Sequence, residues 1–475
     1  MPTTGIVWFR RDLRLADNPA LVCALETSEH VVPVYVHAPD EEAPWQPGAA
    51  SRWWLHYSLA ALDADLRRLG SRLVIAAGDS LAELRRLAKL TGATHCSWNR
   101  LYDPAIVARD QRIKQALRAD GLRCESFNAS LLFEPWELTT SSREPYRVFT
   151  PFWRRAQAEL PHVEPLSPPA ALPPAPDKPA GLPLEALGLL PRVRWDTGLA
   201  AVWSPGEESA LARAYAFLGT EAEAYADRRD QPSEAGTSRL SPHLHFGEIG
   251  PRQIVAISRR VDDGSGSAAF LREIGWREFA YHLLYHFPRT PDEPLDERFA
   301  HFPWREDSGD ALVETWRRGR TGIPLVDAGM RELWQTGWMH NRVRMVAASL
   351  LTKNLRLPWQ AGARWFWDTL VDADLANNTL GWQWTAGCGA DAAPYFRIFN
   401  PVRQGERFDP DGEYVRRWCP ELGALPTKYI HEPWAAPPSV LADSGVTLGR
   451  DYQMPVIDLG ESRKDALAAY EKIKR

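Results

Sequence analysis

The residue types with the most chemical potential crowd into one stretch, W-F-W-D-T-L-V-D-A-D-L-A-N-N-T-L-G-W-Q-W-T-A-G-C-G-A-D-A-A-P-Y-F-R-I-F-N-P, from Trp365 to Pro401. It sets Trp365, Trp367, Trp382 and Trp384 around Asp372, Asp374, Asn377 and Asn378, and follows them with Tyr395, Phe396, Arg397 and Phe399. A helix built only for packing shows apolar residues every three or four positions with charge on the far side. This stretch is too polar at 372–378, and too aromatic after it, for that alone. Carboxylates and amides offer directed acceptors and donors, and indole and phenol offer flat, rigid π-surfaces. The combination suits a planar heteroaromatic ligand whose ring edges need hydrogen bonds. The competing reading is a Trp-rich helical core with solvated Asp/Asn turns. Two further clusters carry the same ambiguity. Glu273 and Trp276 are three apart and share one helical face, yet an acid beside Arg272 and Arg277 is ordinarily a surface carboxylate. Gly236-Thr237-Ser238-Arg239-Leu240-Ser241 offers hydroxyls and free amides ahead of an expected helix. That is a seat for a pyrophosphate, or simply a helix cap.

The elements that must position these residues follow from the rest of the chain. Its 475 residues are enough for two or more domains, and 25% charged against 44% hydrophobic residues is an ordinary globular balance. Over residues 1–130, short β-type runs at 5–9, 31–35, 73–76, 95–98 and 123–127 alternate with helical patterns at 51–69, 80–90 and 104–119. That alternation predicts a parallel, helix-covered α/β sheet. The first strand is not followed by G-x-G-x-x-G, so no dinucleotide is expected on the sheet. Residues 131–203 form a connector. Its proline-rich part, 161–183, excludes regular helix or central strand and is semi-rigid. From 204 to 475 the pattern is helical almost throughout, with helices expected at 205–218, 267–287, 323–336 and 340–353. After Leu422 the chain is proline-rich, with no room expected for a long tail.

Composition narrows the function. A net charge of −5 argues against a general nucleic-acid coat, while leaving room for local arginine patches at 317–320, 342–344 and 397–407. Five cysteines without a C-x-x-C pair make a disulfide framework, a zinc site or an iron–sulfur cluster unexpected, and fit a reducing cytoplasm. No metal ligand set is expected. No signal peptide or membrane-length apolar run is visible. The 21 tryptophans ask for a use beyond filling space.

Three separated motifs, G-T-S-R-L-S-P-H-L-H-F-G-E (236–248), W-M-H-N-R-V-R-M (338–345) and D-A-D-L-A-N-N-T-L-G-W-Q-W (372–384), resemble the photolyase/cryptochrome family. V-W-F-R-R-D-L-R-L-A-D-N-P-A-L at the N-terminus extends the resemblance, which runs to about Leu422. It implies an N-terminal α/β antenna domain and a larger all-α domain that holds a U-folded FAD. Tyr225, Thr237, Ser238, Arg239, Leu240, Ser241, Phe270, Glu273, Arg277, Trp338, Asn341, Arg344, Asp372, Asp374 and Asn378 fall at flavin-binding positions. The family pairs Arg344 with Asp372 beside the isoalloxazine and points Asn378 at its N5. An amide there cannot readily protonate the flavin, whereas plant cryptochromes carry aspartate, so Asn378 points to repair rather than signalling.

The resemblance further implies that Glu273 hydrogen-bonds damaged pyrimidines while Trp276 and Trp384 stack on them. Flipping the dimer into an aromatic pocket supplies the near contact that electron transfer needs. Arg229, Asn341, Arg342, Met345 and Arg397 complete the substrate set, the arginines facing phosphates. Enzymes of the (6-4) photoproduct carry a histidine pair where this chain has Asn341 and Met345, so cyclobutane pyrimidine dimers in UV-damaged DNA are the expected substrate. Trp382, Trp359 and Trp304 match the family's electron-hopping chain, with Trp365 and Trp367 as another branch. At 102–110, Y-D-P-A-I-V-A-R-D places Ala105 and Ile106 where many class I enzymes bind folate through Asn-Glu. H-A-P-D-E-E-A-P-W (37–45) and S-R-W-W-L-H (51–56) look like class III photolyases, which hold 5,10-methenyltetrahydrofolate in another pose. Phe270 is a second departure, since many class I enzymes have Trp there. The expectation is a monomeric, cytoplasmic carbon–carbon lyase, a class III-like photolyase. The alternative is a cryptochrome-type photoreceptor without repair.

Overall fold

A computed structural model describes residues 3–160, 164–174, 179–261, 264–305, 311–392 and 396–474. The proline-rich part of the expected connector, 161–183, thus lies partly outside the described residues, and Tyr395 lies wholly outside them. Five parallel strands, β1 (Thr4–Phe9), β2 (His30–His37), β3 (Val74–Ala77), β4 (His95–Asn99) and β5 (Arg123–Phe127), form one sheet in the order β3-β2-β1-β4-β5. The strand that starts the chain sits at its centre, and β1 is buried along its whole length. Such burial is what continuous apolar runs, rather than alternating ones, encode. Ile6 and Trp8, with Val32, Val34, Cys96 and Trp98, make the core, and the Trp8 and Trp98 rings meet edge to face at 5.8 Å.

Helices α1 (Pro19–Thr27), α2 (Ala49–Arg68), α3 (Ser80–Thr91) and α4 (Pro104–Ala119) link the strands, so the α/β expectation holds. The sequence reading missed α1, a short helix with few polar residues to reveal its period. Its start is nevertheless encoded: the Asn18 side chain accepts from Leu21 N at 3.1 Å and Pro19 stands in the first turn.

By contact density the chain divides into two units: Met1–Glu223, Ser238–Pro288 and Val371–Leu375 form the first, and Ala224–Thr237, Arg289–Leu370 and Ala376–Arg475 the second. Beyond the sheet, the first unit contains α5 (Phe149–Glu159), α6 (Glu207–Ala216) and α7 (Ser265–His286). The second is built on α8 (Pro324–Thr336), α9 (Asn341–Ser349), α10 (Trp359–Thr369), α11 (Leu375–Ala386, entered from Leu375 of the first) and α12 (Leu459–Glu471).

One expectation is corrected. The helices expected at 205–218 and 340–353 each end early, at Ala216 and Ser349, and continue as wide π-turns, Phe217–Glu221 and Leu350–Asn354. Such turns interrupt helices at functional places without any periodic signal in sequence. The helix expected after Gly236–Ser241 is there, as the short Ser241–His245, and Ser238 Oγ takes the Leu240 N–H ahead of it. In keeping with the helical pattern read from 204 to 475, the stretch after Leu422 includes α12, which is tied to the second unit where the Asn354 amide donates to Ser462 Oγ at 2.8 Å.

Two glycines allow close approach where the sequence shows none. A Cβ on Gly275 of α7 would lie 2.3 Å from the Trp153 ring, and one on Gly362 of α10 only 2.0 Å from the indole of Trp382.

Candidate functional site

In the first unit a buried acidic pair is fixed by neighbours drawn from distant parts of the sequence. Ser241 Oγ donates to Asp372 Oδ2 at 2.6 Å. Asp374 Oδ2 accepts from the Tyr281 hydroxyl of α7 and lies 3.3 Å from His245 Nδ1. Burial alone pushes Asp374 upward, but the hydrogen bond and charge of His245, with Arg277 and Tyr281, hold its carboxyl well below the usual carboxylate range. Asp374 is therefore an anion at any physiological pH. Arg277, one turn before Tyr281, places its guanidinium 4.9 Å over that ring and donates to Ser130 O at 2.7 Å. Next to it, Glu278 is enclosed and accepts from Leu132 N at 2.8 Å and Phe133 N at 3.3 Å. Burial pushes its carboxyl up to about 7.

The same helix carries the residues expected to meet substrate. Trp276 lies flat on Phe149 of α5, ring centroids 3.8 Å apart and planes 9° apart, and Phe149 in turn parallels Trp153. Arg272 stands 5.3 Å over Phe149. Glu273 is half-buried one turn away from Trp276, and Phe270 is buried edge-on to Phe217 at 4.8 Å. In the 236–241 turn, Arg239 adopts φ 51 and lies 5.9 Å over Trp203. Holding a non-glycine residue in that left-handed region costs about 1–3 kcal/mol and is tolerated mostly at functional turns. Thr237, Ser238 and Ser241 bring hydroxyls to this turn, and Leu240 is buried.

In the second unit, α9 brings Asn341 Nδ2 within 4.0 Å of Met345 Sδ, so the two lesion-discriminating positions share one face. His340 caps α9, its Nδ1 accepting from Arg342 N at 3.2 Å, and burial pushes it down to about 4. Arg344 donates to Met339 O at 2.7 Å and lies 6.0 Å from the Trp338 ring. Arg342 pairs with Asp230 at 2.7 Å and covers Phe408, while Arg229 covers Tyr225 at 5.3 Å. Asn378 donates its amide N–H to Ala363 O at 3.1 Å, which leaves the amide oxygen as its acceptor.

Trp382 is buried edge-on to Phe366 at 5.0 Å and to Trp316 at 6.1 Å. Trp359 is buried at the start of α10, and Trp304 is half-buried against Phe302 at 4.5 Å. The nearest rings to Trp382 thus include one tryptophan, Trp316, that the motif-based reading passed over. Trp365 stacks on the exposed Trp334 at 5.9 Å.

Trp384, Phe396, Arg397, Phe399, Lys353 and Tyr470 line a small recess that is partly open to solvent. Trp384 and Arg397 were expected there as substrate ligands; Lys353 and Tyr470 were not. Lys353 is fully buried, donates to Ala386 O at 2.6 Å and sits 3.1 Å from the centroid of Phe396. Burial pushes its ammonium well below the usual lysine range. A lysine soon after the mostly apolar M-V-A-A-S-L-L was the available signal. For His245 the signal was its place in the H-L-H motif, and for Tyr281 its i+4 spacing from Arg277.

The comparisons agree with this geometry. Residues 270–472 match the FAD binding domain of DNA photolyase, and residues 5–175 match the DNA photolyase family. The deoxyribodipyrimidine photo-lyase of Agrobacterium fabrum is 48% identical over 99% of this chain and 98% of its own. Cryptochrome-1 of Arabidopsis thaliana is 43% identical over 97% of this chain and 69% of its own. A crystal structure of a bacterial class III photolyase from Agrobacterium tumefaciens superposes with a TM-score of 0.95 at 48% identity, covering 100% of this chain and 98% of that one. A parallel-sheet unit joined to a helical FAD-binding region defines a photolyase-type flavoprotein. The chain belongs to the photolyase/cryptochrome family, within which its similarity is to class III photolyases.

The residues present fit FAD. A flavin dinucleotide needs donors for its phosphates and directed polar groups for its ring edges. The hydroxyl-rich turn at 237–241, the anionic Asp374 and the Asn378 amide are groups of those kinds.

Proposed function

We propose that this protein is a light-dependent deoxyribodipyrimidine photolyase, class III-like, that splits cyclobutane pyrimidine dimers in UV-damaged DNA. The near full-length similarity to the Agrobacterium photolyase carries this reading. FAD, reduced and excited by light, supplies the electron. Among this chain's own residues, Glu273 steadies the damaged pyrimidines by hydrogen bonds, and Trp276 and Trp384 offer flat surfaces to them. Trp276 is well suited because Phe149 braces one of its faces, so little side-chain entropy is lost when a base stacks on the other. Arg229, Arg342 and Arg397 hold phosphates. Of these, Arg342 already pairs with Asp230 and so contributes less net charge.

His340 supports the choice of lesion. It is the one histidine in the 338–345 motif, and it is buried, held neutral and spent on capping α9. It is thus a poor proton donor for a lesion that needs an acid, whereas cyclobutane splitting needs only an electron and its return.

Thr237, Ser238, Arg239, Leu240 and Ser241 hold the pyrophosphate, with Tyr225, Phe270, Arg277, Trp338, Asn341, Arg344, Asp372, Asp374 and Asn378 completing the flavin set. Trp382, Trp359 and Trp304 carry electrons to oxidised flavin. The antenna is 5,10-methenyltetrahydrofolate in a pose other than the class I one. In keeping with that, Asp103 and Asp110 of the 102–110 segment are taken up by Arg11 and Arg10. The protein acts as a cytoplasmic monomer.

The test is blue-light illumination of the photoreduced protein with an oligonucleotide holding one thymine cyclobutane dimer. The dimer should be restored to thymines in light and not in darkness, and Glu273→Ala should slow this at least tenfold. No repair by protein that holds fully reduced FAD would replace this reading with the photoreceptor one. Chromophore released by mild denaturation should be the folate; a second flavin would overturn the antenna assignment.

A further inference from the structure

We propose that Cys23, His95 and Glu125, at one end of the parallel sheet, form a binding site for a single zinc-like divalent cation. The three residues come from separate elements: Cys23 from α1, His95 from the first position of β4 and Glu125 from the middle of β5. Cys23 Sγ lies 3.2 Å from Glu125 Oε2 and 4.0 Å from His95 Nε2, and His95 Nε2 lies 3.4 Å from the same carboxylate oxygen. A tetrahedral zinc with bonds of about 2.0–2.3 Å sets thiolate, imidazole and carboxylate atoms about 3.3–3.6 Å apart. The triangle already has close to those edges, so a cation enters with side-chain adjustments of a few tenths of an ångström. With three protein ligands, the fourth position falls to water, on the side where Cys23 and Glu125 are partly exposed.

The surrounding hydrogen bonds orient all three ligands. Thr27 Oγ1 donates to Cys23 O at 2.7 Å, and its one proton is spent there. At the same distance from His95 Nδ1 it can only accept, which fixes the proton on Nδ1 and the lone pair on Nε2. That lone pair faces the other two ligand atoms. Glu125 is held likewise: Arg123 donates to Oε1 at 3.1 Å, leaving Oε2 turned toward the thiol and imidazole. Without a cation, two acceptor atoms, Nε2 and Oε2, face each other with a single thiol proton between them. Binding exchanges that proton for the metal: Cys23 S–H loses H⁺ to solvent, the thiolate, imidazole and carboxylate bond the cation, and nothing is oxidised or reduced. Competing thiols are screened out, since Cys96, Cys124, Cys388 and Cys419 are buried and Cys23 alone is partly exposed.

The test uses the full-length, flavin-loaded protein, dialysed against a chelator and then titrated with zinc in competition with a chromophoric indicator. One zinc per chain is expected, with at least tenfold slower alkylation of Cys23 when zinc is present. Thr27→Val, which removes the partner of Nδ1, should weaken zinc binding about ten- to a hundredfold. Cys23→Ser should weaken it more. Should Cys23→Ser fail to fold, Glu125→Gln at its part-exposed position carries the comparison. No zinc retained by natively melting wild type, or an affinity unchanged in these variants, overturns the proposal.

Discussion

Two polar regions, one in each unit, hold their charge in opposite ways. Around Asp374 the carboxylate is enclosed and directed partners hold it, a phenol and an imidazole among them, with a guanidinium nearby. Around Trp384 the charge is cationic, the walls are aromatic and the recess opens to solvent. Directed bonds in a dry place fix one geometry and one protonation state, as a permanently held cofactor requires. Rings and guanidinium groups at an open edge bind by stacking and charge, which tolerate variation in the partner and weaken with salt, as a transient nucleic acid requires. An enclosed, directed network suits a ligand that is held, and an open aromatic rim suits one that comes and goes.

The sharpest way to break that comparison is Asp374→Ala. It strands the Tyr281 hydroxyl and His245 in a buried place, and removing one partner of a buried charge network costs about 3–5 kcal/mol. The melting temperature should fall steeply and bound flavin, read by its visible absorbance, should be lost. A variant that keeps both would show the network to be dispensable.

Glu278 tests burial without good compensation. The folded chain holds its proton up to about 7, against 4.5 for an ordinary glutamate, so from pH 4.5 to 7 the folded state binds more proton and rising pH removes stability. Glu278→Gln should therefore stabilise the protein by roughly 2–3 kcal/mol at pH 8 and by almost nothing at pH 4. His282 and His340 run the other way. Each is held near 4 against an ordinary 6.5, so the unfolded chain binds more proton and stability is lost as pH falls from 6.5 to 4. Thermal melts across pH, wild type against Glu278→Gln, separate the two effects.

Gly362→Ala probes packing in the second unit. The new methyl would collide with the indole of Trp382, and overpacking of this kind costs about 1–3 kcal/mol. Photoreduction should slow as well, since the ring must turn; unchanged photoreduction would argue against Trp382 as part of the electron path. Arg397→Ala should have the smallest effect. At an exposed rim it should leave melting within about 0.5 kcal/mol of wild type, yet lower the slope of damaged-DNA affinity against salt by about one. No change in that slope would remove Arg397 from the phosphate contacts.

Much of this was legible in the chain itself. Short β-type runs in alternation with helical patterns determined a parallel sheet, because parallel strands need a helical crossover between them, and the central strand β1, buried throughout, is continuously apolar after its first residues. The motif residues Asp372, Asp374, Ser241 and Arg277 announced a polar region because their types have no purpose in a packing helix. Two of these, Asp372 and Ser241, are joined by a hydrogen bond across 131 positions.

What the chain could not announce depends on approach between residues with no fixed spacing. The bracing of Trp276 by Phe149, the burial of Lys353 against Phe396, and the contact of Trp382 with Trp316 arise only when helices pack. The trio of Cys23, His95 and Glu125 is the clearest case. Spacing alone argued against any metal site, since no two ligands are near in sequence, and the strand order that sets β4 beside β5 and lays α1 against them brings the three within 4.8 Å. Residue type determined which chemistry was possible; the tertiary fold decided which of those residues would meet, because distance in space is set by packing and not by position along the chain.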